Sequence, residues 1–140
     1  VNFVVDCSFA MAWVIEDEAG PSTDEVLESL GQGAKAFVPP LWRWEISNGL
    51  LGIERRNRAT SAEVNRHLSL LHSLPIETDD ASLDQAWTAT HLLAQKHKLT
   101  SYDAAYLELA IRLGLPLASL DRDLSAAAKA EKVSLVPARK

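Results

Sequence analysis

The sequence is poor in cysteine and in basic charge, and it has no long apolar run. A single cysteine, Cys7, leaves no partner for an internal disulfide, so the fold must stand on its core, as expected in a reducing cytosol. No apolar stretch approaches the roughly 20 residues needed to span a bilayer, which points away from the membrane and toward a cytoplasmic protein. The chain opens directly into a strand-like run instead of a charged segment followed by an apolar one, so no signal peptide is expected. Basic residues are outnumbered: 14 Lys and Arg against 19 Asp and Glu give a net charge of -5. That balance argues against a protein that holds nucleic acid by general basicity. The objection weakens if several acids gather at one cation site, where metal ions cancel them and leave the bases to face phosphate.

What is present fits one globular domain over residues 1–140. Hydrophobic residues make up 47% and charged residues 24% of the chain, ordinary values for a packed domain with its own core. There are no repeats, low-complexity tracts or interdomain linkers.

The pattern alternates strands and helices. Residues 1–5 form a β-branched, apolar run ending at Asp6, and residues 117–120 form a second ending at Asp121. Short strands are predicted at 36–38, at 75–77, and at 133–136 before the basic pair Arg139 and Lys140. Helices are predicted from Ser8, as cap, to Ile15, and over 23–30, 41–56, 61–74, 82–97, 103–113 and up to about Glu131. Strands alternating with helices predict an α/β fold with a mostly parallel central sheet of four to five strands flanked by helices.

Acids occupy notable places in this pattern. In open parallel sheets ligands bind beyond the carboxyl ends of strands, where Asp6 and Asp121 stand. Each also precedes a helix, and aspartate is a preferred helix cap. Glu45 lies inside the long third helix on a face with Leu41, Trp42, Asn48, Gly49 and Gly52. Glycine costs about 0.8–1.0 kcal/mol against alanine in a helix interior, so two in one stripe call for a compensating close contact. Otherwise Glu45 is an ordinary surface glutamate. Asp103 sits in the first turn of a helix, where the dipole alone favours an acid. If Asp6, Glu45, Asp103 and Asp121 converge, they would repel one another unless divalent cations intervene. Phosphodiester hydrolysis is the chemistry that uses such a cluster, with Ser8 and Asn48 as hydrogen-bonding partners that hold the acids in place.

These segments have local wording as well as position. Val5-Asp6-Cys7-Ser8 resembles the opening V-D-x-S motif of PIN-domain nucleases, and Glu45-Ile46-Ser47-Asn48-Gly49-Leu50 resembles their E-x-x-N-x-L helix. Tyr102-Asp103-Ala104-Ala105-Tyr106 resembles Y-D-A-x-Y, and Ser119-Leu120-Asp121 resembles the T-x-D strand end with Ser in place of Thr. The motifs run in family order along the chain, and the absence of appended regions resembles the VapC toxin subgroup. The resemblance implies a Mg2+- or Mn2+-dependent endoribonuclease with Asp6 and Asp103 as principal metal ligands. Glu45 and Asp121 would complete the pocket, with Asp123 as a substitute for Asp121. It further implies an RNA substrate and inhibition by a cognate VapB-type antitoxin. A catalytically inactive RNA- or protein-binding module on the same fold is the alternative.

Other residues carry weaker signals. Arg55 and Arg56, with Arg43 near Glu45 and Arg122 beside Asp121, are candidate RNA contacts, although a solvated helix end accounts equally for the first pair. His67, His72, His91 and His97 lack zinc-site spacing, and Cys7 reads as a small buried hydrophobe. Trp13, Trp42 and Trp44 are too many for one helical face of a small core, so at least one is expected at a homodimer or antitoxin interface. A phosphate-accepting receiver domain would need adjacent acids after the first strand, and Asp6 is followed by Cys7.

Overall fold

The computed structural model describes residues 1–137; Arg139 and Lys140 lie outside the described residues. Four short strands form the sheet: β1 (Phe3–Val5), β2 (Ala36–Val38), β3 (Ile76–Thr78) and β4 (Leu117–Ala118). They lie in the order β3-β2-β1-β4 and every pairing is parallel, with Phe3 opposite Ala36, Val5 opposite Ala118 and Phe37 opposite Glu77. The expected α/β architecture is therefore observed. The seven α-helices among the described residues are α1 (Cys7–Met11), α2 (Pro21–Gly31), α3 (Leu41–Arg55), α4 (Ser61–Ser73), α5 (Ala89–His97), α6 (Ser101–Leu113) and α7 (Arg122–Ala130). None is long and apolar enough to cross a membrane.

Local chemistry explains the boundaries. α4 opens with a capping box in which Thr60 and Glu63 satisfy each other's backbone amides. Gly114 ends α6 in the left-handed region, at φ 65°, where a residue with a Cβ would be strained. α3 buries Trp42, Ile46, Leu50 and Ile53 along one stripe, while α6 buries an unbroken run from Ala104 to Ala110. A helix buried on nearly all sides belongs in the centre of the molecule, and α6 packs against β1, β4, α5 and α7. Its one buried acid, Glu108, is paired with Arg112 one turn on at 2.8 Å.

Several sequence expectations need correction. The cap of α1 is Asp6, whose side chain accepts from the Phe9 amide, and not Ser8, and the helix stops at Met11. The helix expected over 82–97 is broken. Asp79 caps the Ala81 amide, and Arg112 reaches both Asp79 and Ser82, drawing Asp80–Gln85 into a tighter 3-10 coil. Thr88 then leaves the helical region, at φ -119° and ψ -99°, and α5 starts afresh at Ala89. β4 ends two residues early because Ser119 turns its hydroxyl toward Asp6 and receives the Asp121 amide, which steers the chain into α7. The strand expected at 133–136 is reduced to a single parallel bridge between Leu135 and Leu117.

The glycine stripe of α3 has a packing reason. A Cβ at Gly49 would stand 3.0 Å from Met11 Cε and 3.3 Å from its sulfur, so the bare backbone lets α1 rest against α3. Gly49→Val should overpack this contact and cost about 1–3 kcal/mol, read as a lower denaturation midpoint at unchanged slope. Stability equal to wild type would refute the close approach.

Candidate active site

The path of the sheet determines where a site can form. From β1 the chain steps outward through β2 to β3, then crosses to the opposite side of β1 to lay down β4. The loops leaving β1 and β4 therefore diverge, and a crevice opens between them at the carboxyl edge. Asp6 is the first residue after β1, and Ser119 to Asp121 follow β4. α6 begins at the same edge before running down to β4, which brings Asp103 there, and α3 departs from the edge after β2 with Glu45 in its second turn.

Asp6 is 4% exposed and heavily hydrogen-bonded. Its Oδ1 accepts from Ser8 Oγ at 2.8 Å and from the Phe9 amide at 2.9 Å, while Oδ2 accepts from Ser119 Oγ. Ser8 Oγ also receives the Leu120 amide at 3.0 Å, and Ser119 Oγ the Asp121 amide at 3.0 Å. Two serines thus join the ends of β1 and β4 through one carboxylate. Asp121 caps α7 by accepting from the Leu124 amide at 2.8 Å. Asp6 and Asp121 thus both cap the helices that follow them, α1 and α7, directly after β1 and close after β4.

Glu45 is half-buried and accepts a hydrogen bond from the Tyr106 hydroxyl. Tyr106 follows Asp103 by three positions, so one face of α6 presents both toward the crevice. Burial raises the Asp6 carboxyl pKa above its ordinary value; Ser119, Phe9 and Ser8 oppose the shift and the Asp103 charge adds to it. Glu45 is raised by burial, against the Tyr106 hydrogen bond, and further by the charges of Asp103 and Asp6. Asp103 is raised by burial and by Asp121, with Thr100 opposing and Asp123 adding. The charge of Asp103 thus reaches both Asp6 and Glu45, and the charge of Asp121 reaches Asp103.

The remaining candidates are placed less uniformly. Asn48 is exposed and makes no hydrogen bond to any of these carboxylates. Arg43 is exposed and donates to Thr78 Oγ1 at 3.3 Å. Arg55 and Arg56 lie about 15 Å farther along α3 from Glu45, at 1.5 Å per residue, away from the crevice. Arg122 is exposed at the first position of α7, directly after Asp121. Asp123 stands in the first turn of α7. Cys7 is half-buried, and burial together with Glu45, Asp6 and Glu18 pushes its thiol up to about 12, so it stays protonated. Trp13 and Trp42 are buried, whereas Trp44 and Trp87 are exposed. Two residues of the site carried no assigned role in the sequence reading, Ser119 and Tyr106. A tyrosine three positions from a candidate acid was the available signal, since a buried hydroxyl needs a partner.

A sequence model of the family described as "PIN domain" matches residues 3–130. The chain belongs to the PIN domain family. Members of this family are nucleases and generally depend on metal ions. This PIN domain is 28% identical over 125 residues to Ribonuclease VapC3 of Pyrobaculum aerophilum, covering 89% of this chain and 93% of that protein. Among solved structures it is similar to PAE2754 of the same organism, with a TM-score of 0.67, 27% identity, and coverage of 91% of this chain and 79% of that one. The fold is also shared with Mycobacterium tuberculosis VapC20, described as a sarcin-ricin loop cleaving toxin, at TM-score 0.67 and 17% identity, with 89% and 94% of the two chains covered. VapBC2 of Rickettsia felis, solved on a fragment of promoter DNA, shares it at TM-score 0.64 and 11% identity, with 91% and 93% covered.

The donor set of this PIN domain suits a hard divalent cation, being made of carboxylate oxygens whose charges are left uncompensated at the crevice. Among the described residues, no three Asp, Glu, His or Cys side chains form a group able to hold an ion. The expected cluster of four carboxylates within a few ångströms is thus not seen ready-made among the described residues. Mg2+ keeps several waters and takes few protein carboxylates, so the arrangement remains compatible with that ion.

The raised carboxyls set a pH dependence. A group whose folded pKa lies above its unfolded value, about 3.9 for Asp and 4.3 for Glu, stabilises the fold below that unfolded value. The contribution is lost as pH rises through the folded pKa. Metal-free protein should therefore lose stability from this source as pH climbs above about 4. Asp103→Asn should melt a few degrees higher than wild type at neutral pH without metal, with the difference vanishing in acid. An equal or lower melting temperature at neutral pH would show that Asp103 feels no crowding.

Proposed function

We propose that this chain is a Mg2+- or Mn2+-dependent endoribonuclease acting as the toxin of a bacterial type II toxin–antitoxin pair. Asp6, Glu45, Asp103 and Asp121 are its catalytic and metal-binding acids. One observation carries the reading: Asp6, directly after β1, is tied through Ser119 to the end of β4, and the charge of Asp103 on α6 reaches it at the β1/β4 switch point. The similarity to a protein named Ribonuclease VapC3 supports RNA as the substrate class.

When bound, the metal supplies a Lewis acid for the phosphate and lowers the pKa of an attacking water. The residues of this chain do the rest. Asp6 offers the free lone pair of Oδ2, because Oδ1 is occupied by Ser8 and the Phe9 amide. Ser119 fixes that oxygen's direction, and Tyr106 leaves Glu45 Oε2 free to face the crevice. Asp103, less buried than Asp6, lies on the solvent side where substrate enters. Asp121 completes the pocket while capping α7, with Asp123 beside it. Asn48 retains a supporting role only if substrate or metal draws it inward, and Arg122 is the candidate RNA contact nearest the acids.

The natural partners on this reading are RNA, a cognate VapB-type antitoxin and a second copy of the chain, in the cytoplasm. Exposed Trp44 and Trp87 provide anchors for a protein partner.

The purified chain should cleave RNA with Mg2+ or Mn2+ and stop in EDTA. Asp6→Asn and Asp103→Asn should fall to background with the fold intact, and Ser119→Ala should lose roughly 10–100-fold, as for other groups that orient a metal ligand. Cleavage indifferent to chelator, or a fully active Asp6→Asn, would overturn the proposal. Intact folding with no cleavage at all would make the chain a PIN-fold binding module.

A further inference from the structure

A groove lies beside Ser119 and Asp121, on the side of α7, and Asp6, Glu45 and Asp103 do not line it. It has a volume of about 300 Å³ and lies along α7, with Arg122, Ser125 and Lys129 beside Ser119 and Asp121 and an apolar wall that includes Phe9 and Leu135. That size is at the lower end of ligand-sized clefts, which run roughly 300–1,000 Å³. Positions 122, 125 and 129 are three and four residues apart, so their side chains stack as one stripe facing the groove.

The polar chemistry of the stripe is that of an anion site. Arg122 and Lys129 are exposed, and among the described residues neither makes an ion pair. Lysine at the end of a helix is favoured by the dipole, so Lys129 alone says little. Arg122 differs, because a cation at the first helical position is opposed by the same dipole, at a cost of about 0.3–1 kcal/mol. Asp121, its neighbour, has Oδ1 turned back to the Leu124 amide. The acid end of the groove would repel a phosphate, and the basic stripe begins one residue away and leads outward for two helical turns. That gradient of sign suits a strand with one phosphodiester at the acids and the next ones on α7.

We infer that Arg122, Ser125 and Lys129 form a phosphate-binding track for single-stranded RNA leading away from the acid crevice. This rests on the nuclease reading above and deepens it. The track accounts for RNA binding by a chain of net charge -5, since two unpaired cations beside the site matter more than the overall balance.

The test uses the full chain carrying Asp6→Asn, so that RNA is held and not cut. A fluorescent single-stranded RNA 12-mer of random sequence is bound in Mg2+ over a range of KCl concentrations. Each phosphate contact on a single strand contributes about 0.7 to the slope of log affinity against log salt. Arg122→Gln with Lys129→Gln should therefore lower the slope by about 1.4, and Arg122→Lys should restore the share of the first position. The pair Arg55→Gln with Arg56→Gln removes the same charge at the far end of α3, about 15 Å along the helix from Glu45, and should change the slope less. In otherwise wild-type protein the α7 pair should raise KM more than it lowers kcat. Tight RNA binding with an unchanged slope in the α7 pair, or an equal loss in the Arg55 and Arg56 pair, overturns the track alone. No RNA binding by the Asp6→Asn chain at low salt would overturn the nuclease reading as well.

Discussion

A buried carboxylate is stable only if its lone pairs are answered, and Asp6 is answered from three directions at once. Its own helix supplies the Phe9 amide, the next residue but one supplies a hydroxyl, and the far strand supplies another through Ser119. Because the two serines also collect the amides of Leu120 and Asp121, the same charge fixes how β4 turns into α7. The start of α1, the exit from β1 and the exit from β4 are thus one hydrogen-bonded unit. The course of two loops and the chemistry of one oxygen therefore rest on the same side chain.

The crevice is built as much by the core as by the acids. Tyr106 is almost wholly buried in α6 and reaches Glu45 on α3, so the helix that fills the centre of the molecule also orients a polar group at its rim. Gly49 does the complementary work on α3 by yielding space to Met11. Apolar packing brings the elements to a common edge, and the mutual repulsion of the carboxylates is carried by the stability gained elsewhere. A cation at the crevice would relieve that stress, which is the thermodynamic meaning of an acidic site on an acidic protein.

Much of this was legible in the sequence for identifiable reasons. β1, β2 and α3 are bounded by unambiguous signals: β-branched runs, the Pro39-Pro40 stop and a regular apolar stripe. Asp6 and Asp121 could be placed at the carboxyl edge because they directly follow strand-like runs. The helix expected over 82–97 could not be read correctly, since its break depends on Arg112 reaching across from α6 to Asp79, a contact 33 residues away in the chain. Ser119 was visible only as a substitution within a motif, because its partner Asp6 is 113 residues distant. Asn48 was given a supporting role from its helical phase beside Glu45, yet the phase places it on the exposed side. Periodicity reports which face a residue shares and not which way its polar atoms turn.

The pairing of β1 with β4 joins the first and last strands among the described residues. During synthesis, α1 and the acid that caps it leave the ribosome long before Ser119 and Asp121 exist. Any nascent chain that stops before β4 has no second wall at this edge. Assembly of the site consequently waits for the segment that carries Ser119 and Asp121, and a fragment released before it carries acids without that wall.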